Sequence, residues 1–407
     1  MGEFLFLAHR VPFPPDRGDK IRSHHLLKGL AKLGPVHAGT FAETPQDMAQ
    51  KGELAAIAKT HALIQRKKPL PFAGVEALIQ HRPVSLTAFE HEAMHRYVAK
   101  TLGNHKIDTV FVFSGQMGQY IPGDYAGRVI IDLCDVDSAK FEAYAAAGQR
   151  SWLNRREGRL LAREEERLAH RADTTLLISD NEVALFRSRL SSTRQVELCA
   201  LGNGIDASFF DPDRVALHPD LEEGEDPQLV FTGQMDYAPN VAAAEWMIEN
   251  IMPALRRTYA RARFHIVGRA PTAALRDRHG ENGVRVWGEV PDVRPFLKSA
   301  DLVAAPLLIA RGVQNKVLEA MAMAKPVVLT PGAATGIAAE NDLHFAIARP
   351  DPAEMLVRIE ALLADRDKRI EMGRAAREFV IDRMSWDSVH KRLAQVVVPQ
   401  DSANHAT

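Results

Sequence analysis

A lysine and a glutamate three residues apart, Lys316 and Glu319, stand in the stretch DLVAAPLLIARGVQNKVLEAMAMAKPVVLT, residues 301–330. The apolar run 302–308 predicts a buried strand, a loop with Arg311 and Gly312 follows, and a helix begins near Gln314. Lys316, Val317, Leu318 and Glu319 then fall in its opening turns, with Lys316 and Glu319 on one face. Backbone N–H groups without intrahelical partners and the positive end of the helix dipole suit such a terminus to a phosphate. A cation beside a carboxylate there could hold a nucleoside diphosphate and its ribose hydroxyls. The same residues would also serve as an ordinary solvated helix start.

The elements that must position this pair repeat a strand–loop–helix rhythm. In the second half, strands are predicted at 229–232, 264–267 and 284–287, with a long helix over 241–259 and a short one over 293–299. Alternating strands and helices imply a parallel, doubly wound sheet. Glycines fall just past the strand ends, at Gly233, Gly268, Gly288, Gly312 and Gly332. Together they describe a backbone-lined crevice for a flat polyanion. The first half has the same build. The strand EFLFLAH leads into a proline-rich loop with Gly18 and Asp19, then a helix over 21–33. A G-x-G-x-x-G dinucleotide fingerprint is missing, so Gly18 by itself reads first as a structural turn residue. Further strands are expected at 36–41, 61–65, 109–113, 129–133 and 174–179, with Asp180 as a helix N-cap and a highly charged helical stretch over 139–170. The cluster Asp132, Asp135 and Asp137 lacks the histidine or loop glycine of a metal site, and Asp135 or Asp137 reads as a substrate-hydroxyl acceptor or helix cap.

Composition bounds the function. The chain has 407 residues, so more than one core is expected. A formal net charge of −1 gives no global pull toward nucleic acid. Cys134 and Cys199 are too few for a disulfide framework, which fits a cytoplasmic protein. The N-terminus is read as lacking a secretory leader, and no run approaches the roughly 20 apolar residues that cross a bilayer. Any membrane contact is therefore expected to be peripheral; the basic run QRKKP, residues 65–69, is a solvated loop or a patch that meets phosphate-bearing lipid.

Several segments resemble the retaining glycosyltransferases of family four, with the GT-B architecture. They are PPDRGDKIRSHHLLKGLAKLG, GNGID, LVFTGQMDYAPN, FHIVGRAP, VWGEVPDV and KVLEAMAMAKPVV. In detail, RVPFPPDRGDKIRSHHLLKGL and IIDLCDVDSAKFEAYA are similar to the sugar transferases of the PEP-CTERM/exosortase exopolysaccharide system. The resemblance implies two Rossmann-like domains facing across a cleft: an acceptor domain over 1–205 and a nucleotide-sugar domain over 206–384. A terminal helix, 385–398, would cross back, followed by a flexible tail, 399–407. It implies a nucleotide-sugar donor as substrate, no cofactor, no metal, and a saccharide or lipid-linked saccharide acceptor at the inner membrane face. Glu319 matches the second glutamate of the family's paired motif, which accepts ribose hydroxyls. Gly18, followed by Asp19, matches the loop glycine that approaches the diphosphate, and Glu289 with Val290 matches the segment that frames the base. Two departures stand out. Arg311 occupies the place of the first motif glutamate, and GQMDYAPN lacks the basic pair that normally follows the first strand of that domain. Lys316 with Arg311 is the expected substitute. A nucleotide-sugar epimerase or a non-catalytic scaffold on the same fold are the alternatives.

Overall fold

A computed structural model describes residues 2–146, 148–149, 151–192, 195–221, 226–308 and 312–398. Arg311 and the tail 399–407 lie outside the described residues. The chain divides into two units, Met1–Asn203 with the segment from Val389 onward, and Gly204–Ser388. The helix Trp386–Val397 thus begins in one unit and ends in the other.

The first unit holds a seven-stranded parallel sheet. Its strands are β1 (Glu3–Ala8), β2 (Val36–Ala42), β3 (Thr60–Gln65), β4 (Ile107–Phe113), β5 (Arg128–Cys134), β6 (Thr174–Leu177) and β7 (Leu198–Ala200). The second holds six: β8 (Gln228–Thr232), β9 (Arg263–Val267), β10 (Val284–Gly288), β11 (Leu302–Ala305), β12 (Val327–Leu329) and β13 (Ala346–Ile347). The orders are β3-β2-β1-β4-β5-β6-β7 and β10-β9-β8-β11-β12-β13. Both reverse direction beside their first strand, so each has the doubly wound, Rossmann-like topology, with a crevice at the carboxyl ends where the order turns. These strands read as near-continuous apolar runs because parallel sheets are covered on both faces; Leu229, Phe231, Phe264 and Leu302 are fully buried.

Where element bounds differ from expectation, a local cause is visible. β11 stops at Ala305 because Pro306 has no N–H to continue the ladder. The expected helix over 241–259 is Ala238–Trp246, a π turn at Met247–Ile251, then Met252–Thr258, and Pro253 explains the break in its hydrogen-bond ladder. Residues 139–170 form two helices, Asp137–Ala146 and Ser151–Arg171. Ser179, not Asp180, caps the following helix: its hydroxyl accepts the Glu182 N–H at 3.2 Å.

Candidate functional site

The order of the second sheet turns between β8 and β11, and a cavity of about 550 Å³ opens at the carboxyl ends of its strands. Thr232, Gly233 and Gln234 enter it from the end of β8, and Val267, Gly268 and Arg269 from the end of β9. Glu289, Val290 and Val293 follow β10, and Gln314, Asn315, Lys316 and Glu319 open the helix Asn315–Ala322. The register sets β8 and β9 level, Thr232 opposite Val267, so both strand ends face the cavity together.

Two glycines make this closeness possible. A Cβ on Gly268 would lie 1.6 Å from the Gly233 carbonyl oxygen, and φ there is 152°. A Cβ on Gly233 would lie 2.8 Å from the Asn240 amide nitrogen and 3.2 Å from Lys316 Cε. The Gly233 N–H donates to Val267 O at 3.0 Å and the Gly268 N–H to Gly288 O at 2.9 Å. Only residues without a side chain let these turns stack this tightly.

Polar groups converge on the cavity in a chain. Lys316 Nζ donates to Asn240 Oδ1 at 2.6 Å, Asn240 Nδ2 donates to Gln234 O at 2.8 Å, and Arg269 Nη2 donates to Gln234 Oε1 at 2.9 Å. Lys316 also lies 5.3 Å from the Phe231 ring centre. Burial pulls the Lys316 pKa down to about 8 against the opposing pull of Glu319. Burial pushes Glu319 up to about 7, and Lys316 only partly offsets it. Both side chains are thus poised near neutrality, the pattern expected where a ligand completes the charge balance. Two cations beside a carboxylate and glycine-turned backbone can hold a diphosphate at one end and hydroxyls at the other.

The structure brings Lys316, Glu319, Gly233, Gly268, Glu289 and Val290 to one cavity. Val317 and Leu318 are corrected: their side chains are buried in the core, and their N–H groups bond Gln314 O at 3.0 and 3.3 Å. Neither side chain lines the cavity. Gly312, with φ 67°, turns the exposed chain toward the helix. Gly18 and Asp19 belong to the first unit, at the start of the helix Gly18–Leu33. The Asp19 carboxylate is corrected as a free ligand group, because Arg10 donates to it at 2.8 Å and Arg17 lies at 2.9 Å. Burial opposes its ionisation, but hydrogen bonds from His9 and Arg10 hold its pKa far below the usual range. Asp132 pairs with Arg22 at 2.7 Å inside the same unit, while Asp135 and Asp137 pair with Lys140.

Arg269, Gln234 and Asn240 were not foreseen as site residues. Arg269 directly follows a strand-end glycine and was legible on that ground; Asn240 needed the tertiary approach to Lys316 to be recognised. With Arg269, the cavity holds the second cation whose usual place after β8 is empty of Arg and Lys.

Residues 226–365, within the second unit, match the family described as Glycosyl transferases group 1. A GDP-mannose-dependent alpha-(1-6)-phosphatidylinositol monomannoside mannosyltransferase of Mycobacterium tuberculosis is 26% identical over 254 residues, 58% of this chain and 64% of that protein. The match thus spans just under two thirds of that relative's length. Among solved structures, HepE of Anabaena in complex with UDP aligns with TM-score 0.62 at 16% identity, over 97% of this chain and 99% of that one. Sucrose-phosphate synthase from Thermosynechococcus elongatus aligns with TM-score 0.61 at 14% identity, over 97% and 98%. The two-sheet GT-B architecture is therefore that of the chain.

Proposed function

We propose that this protein is a retaining glycosyltransferase that moves a sugar from a nucleotide-sugar donor to a lipid-linked saccharide acceptor in exopolysaccharide biosynthesis. The observation that carries the reading is the juxtaposition of Lys316 and Glu319 in a glycine-edged cavity at the turn of the second sheet. HepE, whose solved complexes hold UDP and UDP-glucose, and the GDP-mannose-dependent relative support a nucleotide-sugar donor. In this reading the diphosphate lies along the start of the helix Asn315–Ala322. Lys316 and Arg269 neutralise the charge that develops as the bond between the sugar's anomeric carbon and the phosphate oxygen breaks. Glu319 accepts the ribose hydroxyls, and Glu289 with Val290 frames the base. Gly18 keeps only the role that the sequence resemblance implies; a Cβ there would meet nothing within 4 Å. Arg311 adds a third cation, assigned on the sequence alone. The chemistry needs no cofactor and no metal, and takes place in the cytoplasm with peripheral contact at the inner membrane face.

The test is incubation of purified protein with candidate nucleotide sugars and a lipid-linked acceptor. Transfer with retained anomeric configuration, coupled to release of nucleoside diphosphate, is expected. Conversion of the nucleotide sugar to an epimer without acceptor would instead favour an epimerase, and no turnover with no nucleotide binding a scaffold.

The pH dependence follows from the two shifted groups. Ionised Glu319 accepts hydroxyls best above about pH 7, and charged Lys316 holds phosphate best below about pH 8. Nucleoside diphosphate affinity, measured calorimetrically, is therefore expected to peak between those values and fall on both sides. Glu319→Gln is expected to remove the acidic limb only and to weaken binding roughly tenfold or more, the worth of a hydrogen bond to a charged group.

A further inference from the structure

The helix Leu70–Ile79 of the first unit is built inside out. Its small residues, Ala73 and Ala77, face the core, while Phe72 is 71% exposed and Ile79 75% exposed. Leu70, Val75 and Leu78 are exposed beside them. The helix carries one charged residue, Glu76, and Lys68 neutralises it at 2.9 Å. Contiguous exposed apolar surface of this kind marks an interaction site.

The rim of this face is cationic. Arg156, on the helix Ser151–Arg171, donates to Ala77 O at 2.7 Å and to Arg82 O at 3.2 Å, so that helix is packed against the end of the apolar one. One turn before Arg156 stands Trp152, 68% exposed. Arg155 and Arg159 follow on the exposed side with no ion pair among the described residues, and Lys67 is exposed at the other end of the apolar helix. The nearby Glu157 is buried and held by the Val84 and Ser85 N–H groups. Exposed Phe and Trp with an arginine-bearing rim fit the interface of an anionic bilayer, where aromatic rings sit at headgroup depth and arginines meet lipid phosphates. No helix among the described residues is long and apolar enough to cross a membrane, so contact would be in the plane.

We propose that this face, the apolar side of Leu70–Ile79 with Trp152, Arg155 and Arg159, is where the protein docks on an anionic phospholipid surface. The proposal rests on the reading of a lipid-linked acceptor above and names the surface that such an acceptor requires.

The test is co-sedimentation of the full-length protein with vesicles containing phosphatidylglycerol, against vesicles of phosphatidylcholine alone. Binding to the anionic vesicles is expected, weakening as salt rises. Phe72→Ser with Ile79→Ser is expected to lower the partition coefficient at least tenfold, and Arg155→Ala with Arg159→Ala at least threefold, chiefly at low salt. Both variants replace exposed groups, so their melting midpoints and nucleoside diphosphate affinity are expected to match wild type. The proposal is overturned if wild type ignores anionic vesicles while binding nucleoside diphosphate, or if both variants sediment as wild type does. A wild-type dimer that the apolar variant makes monomeric, without vesicle binding, would also overturn it in favour of self-association. Vesicle binding without nucleotide binding would count against the transferase reading and leave this surface standing.

Discussion

If the proposed transferase reading holds, Lys316→Ala is expected to lower turnover of the nucleotide-sugar donor by about 100- to 1,000-fold, the usual effect of removing one preorganised charge-stabilising group. The ammonium is fixed by a 2.6 Å bond to Asn240, itself held by Gln234, so little reorganisation is needed when charge develops on the leaving phosphate. Burial pulls its pKa down, leaving the cation short of solvation, and in the proposed reading a diphosphate would supply what is missing. Arg269 is expected to account for the residual rate, because it reaches the same cavity from the end of β9. Lys316→Arg is expected to rescue poorly: a planar guanidinium is not a substitute for the compact ammonium that donates to Asn240 Oδ1 at 2.6 Å. Steady-state kinetics with the melting midpoint recorded alongside checks this. A loss of turnover with the fold intact is the expected outcome; wild-type turnover in Lys316→Ala would remove the lysine from the site.

Gly268→Ala is expected to be among the most destabilising single changes available in the chain, above about 4 kcal/mol, with loss of soluble protein as the visible result. The added Cβ would sit 1.6 Å from a backbone oxygen, which no rotamer change can relieve, and the backbone conformation is one that L side chains rarely adopt. The strand ends of β8 and β9 would have to separate, taking Gly233 and the Met235 N–H bond to Arg269 O (2.8 Å) with them. Gly18→Ala is the contrast. Its Cβ enters open space at the first position of a helix, so its melting midpoint is expected to stay near wild type. Denaturant unfolding of the two variants side by side measures the difference.

Much of the architecture was legible because both units repeat one unit of folding. Apolar runs bounded by glycine and polar residues marked the strands, and apolar spacing marked the helices between them. The failures were local and had physical causes. Pro306 and Pro253 broke elements whose apolar pattern ran on, since a missing N–H is invisible to hydrophobic periodicity. The short strand β7 carries too few residues to show a pattern. In the site, Lys316 and Glu319 were readable from helix spacing, and Glu289 with Val290 from the resemblance to the transferase family. Val317 and Leu318 lie between Lys316 and Glu319 in sequence, but at about 100° per residue a helix swings them off the face that pair shares, and their side chains are buried in the core. Asn240 could not be recognised, because its role depends on an approach to Lys316 across 76 residues. The inverted helix Leu70–Ile79 was missed because its large apolar residues point outward, which only burial reveals.

Calorimetric titration of UDP and GDP into the wild-type protein, Lys316→Ala and Glu319→Ala at pH 7.5, midway between the two shifted pKa values, tests the central claim most directly. The account predicts that wild type binds at least one of the two and that each variant binds it at least about tenfold more weakly, near 1.4 kcal/mol or more, with the fold preserved. Absence of binding to wild type, or equal affinity in all three proteins, would contradict the assignment of this cavity as the nucleotide site.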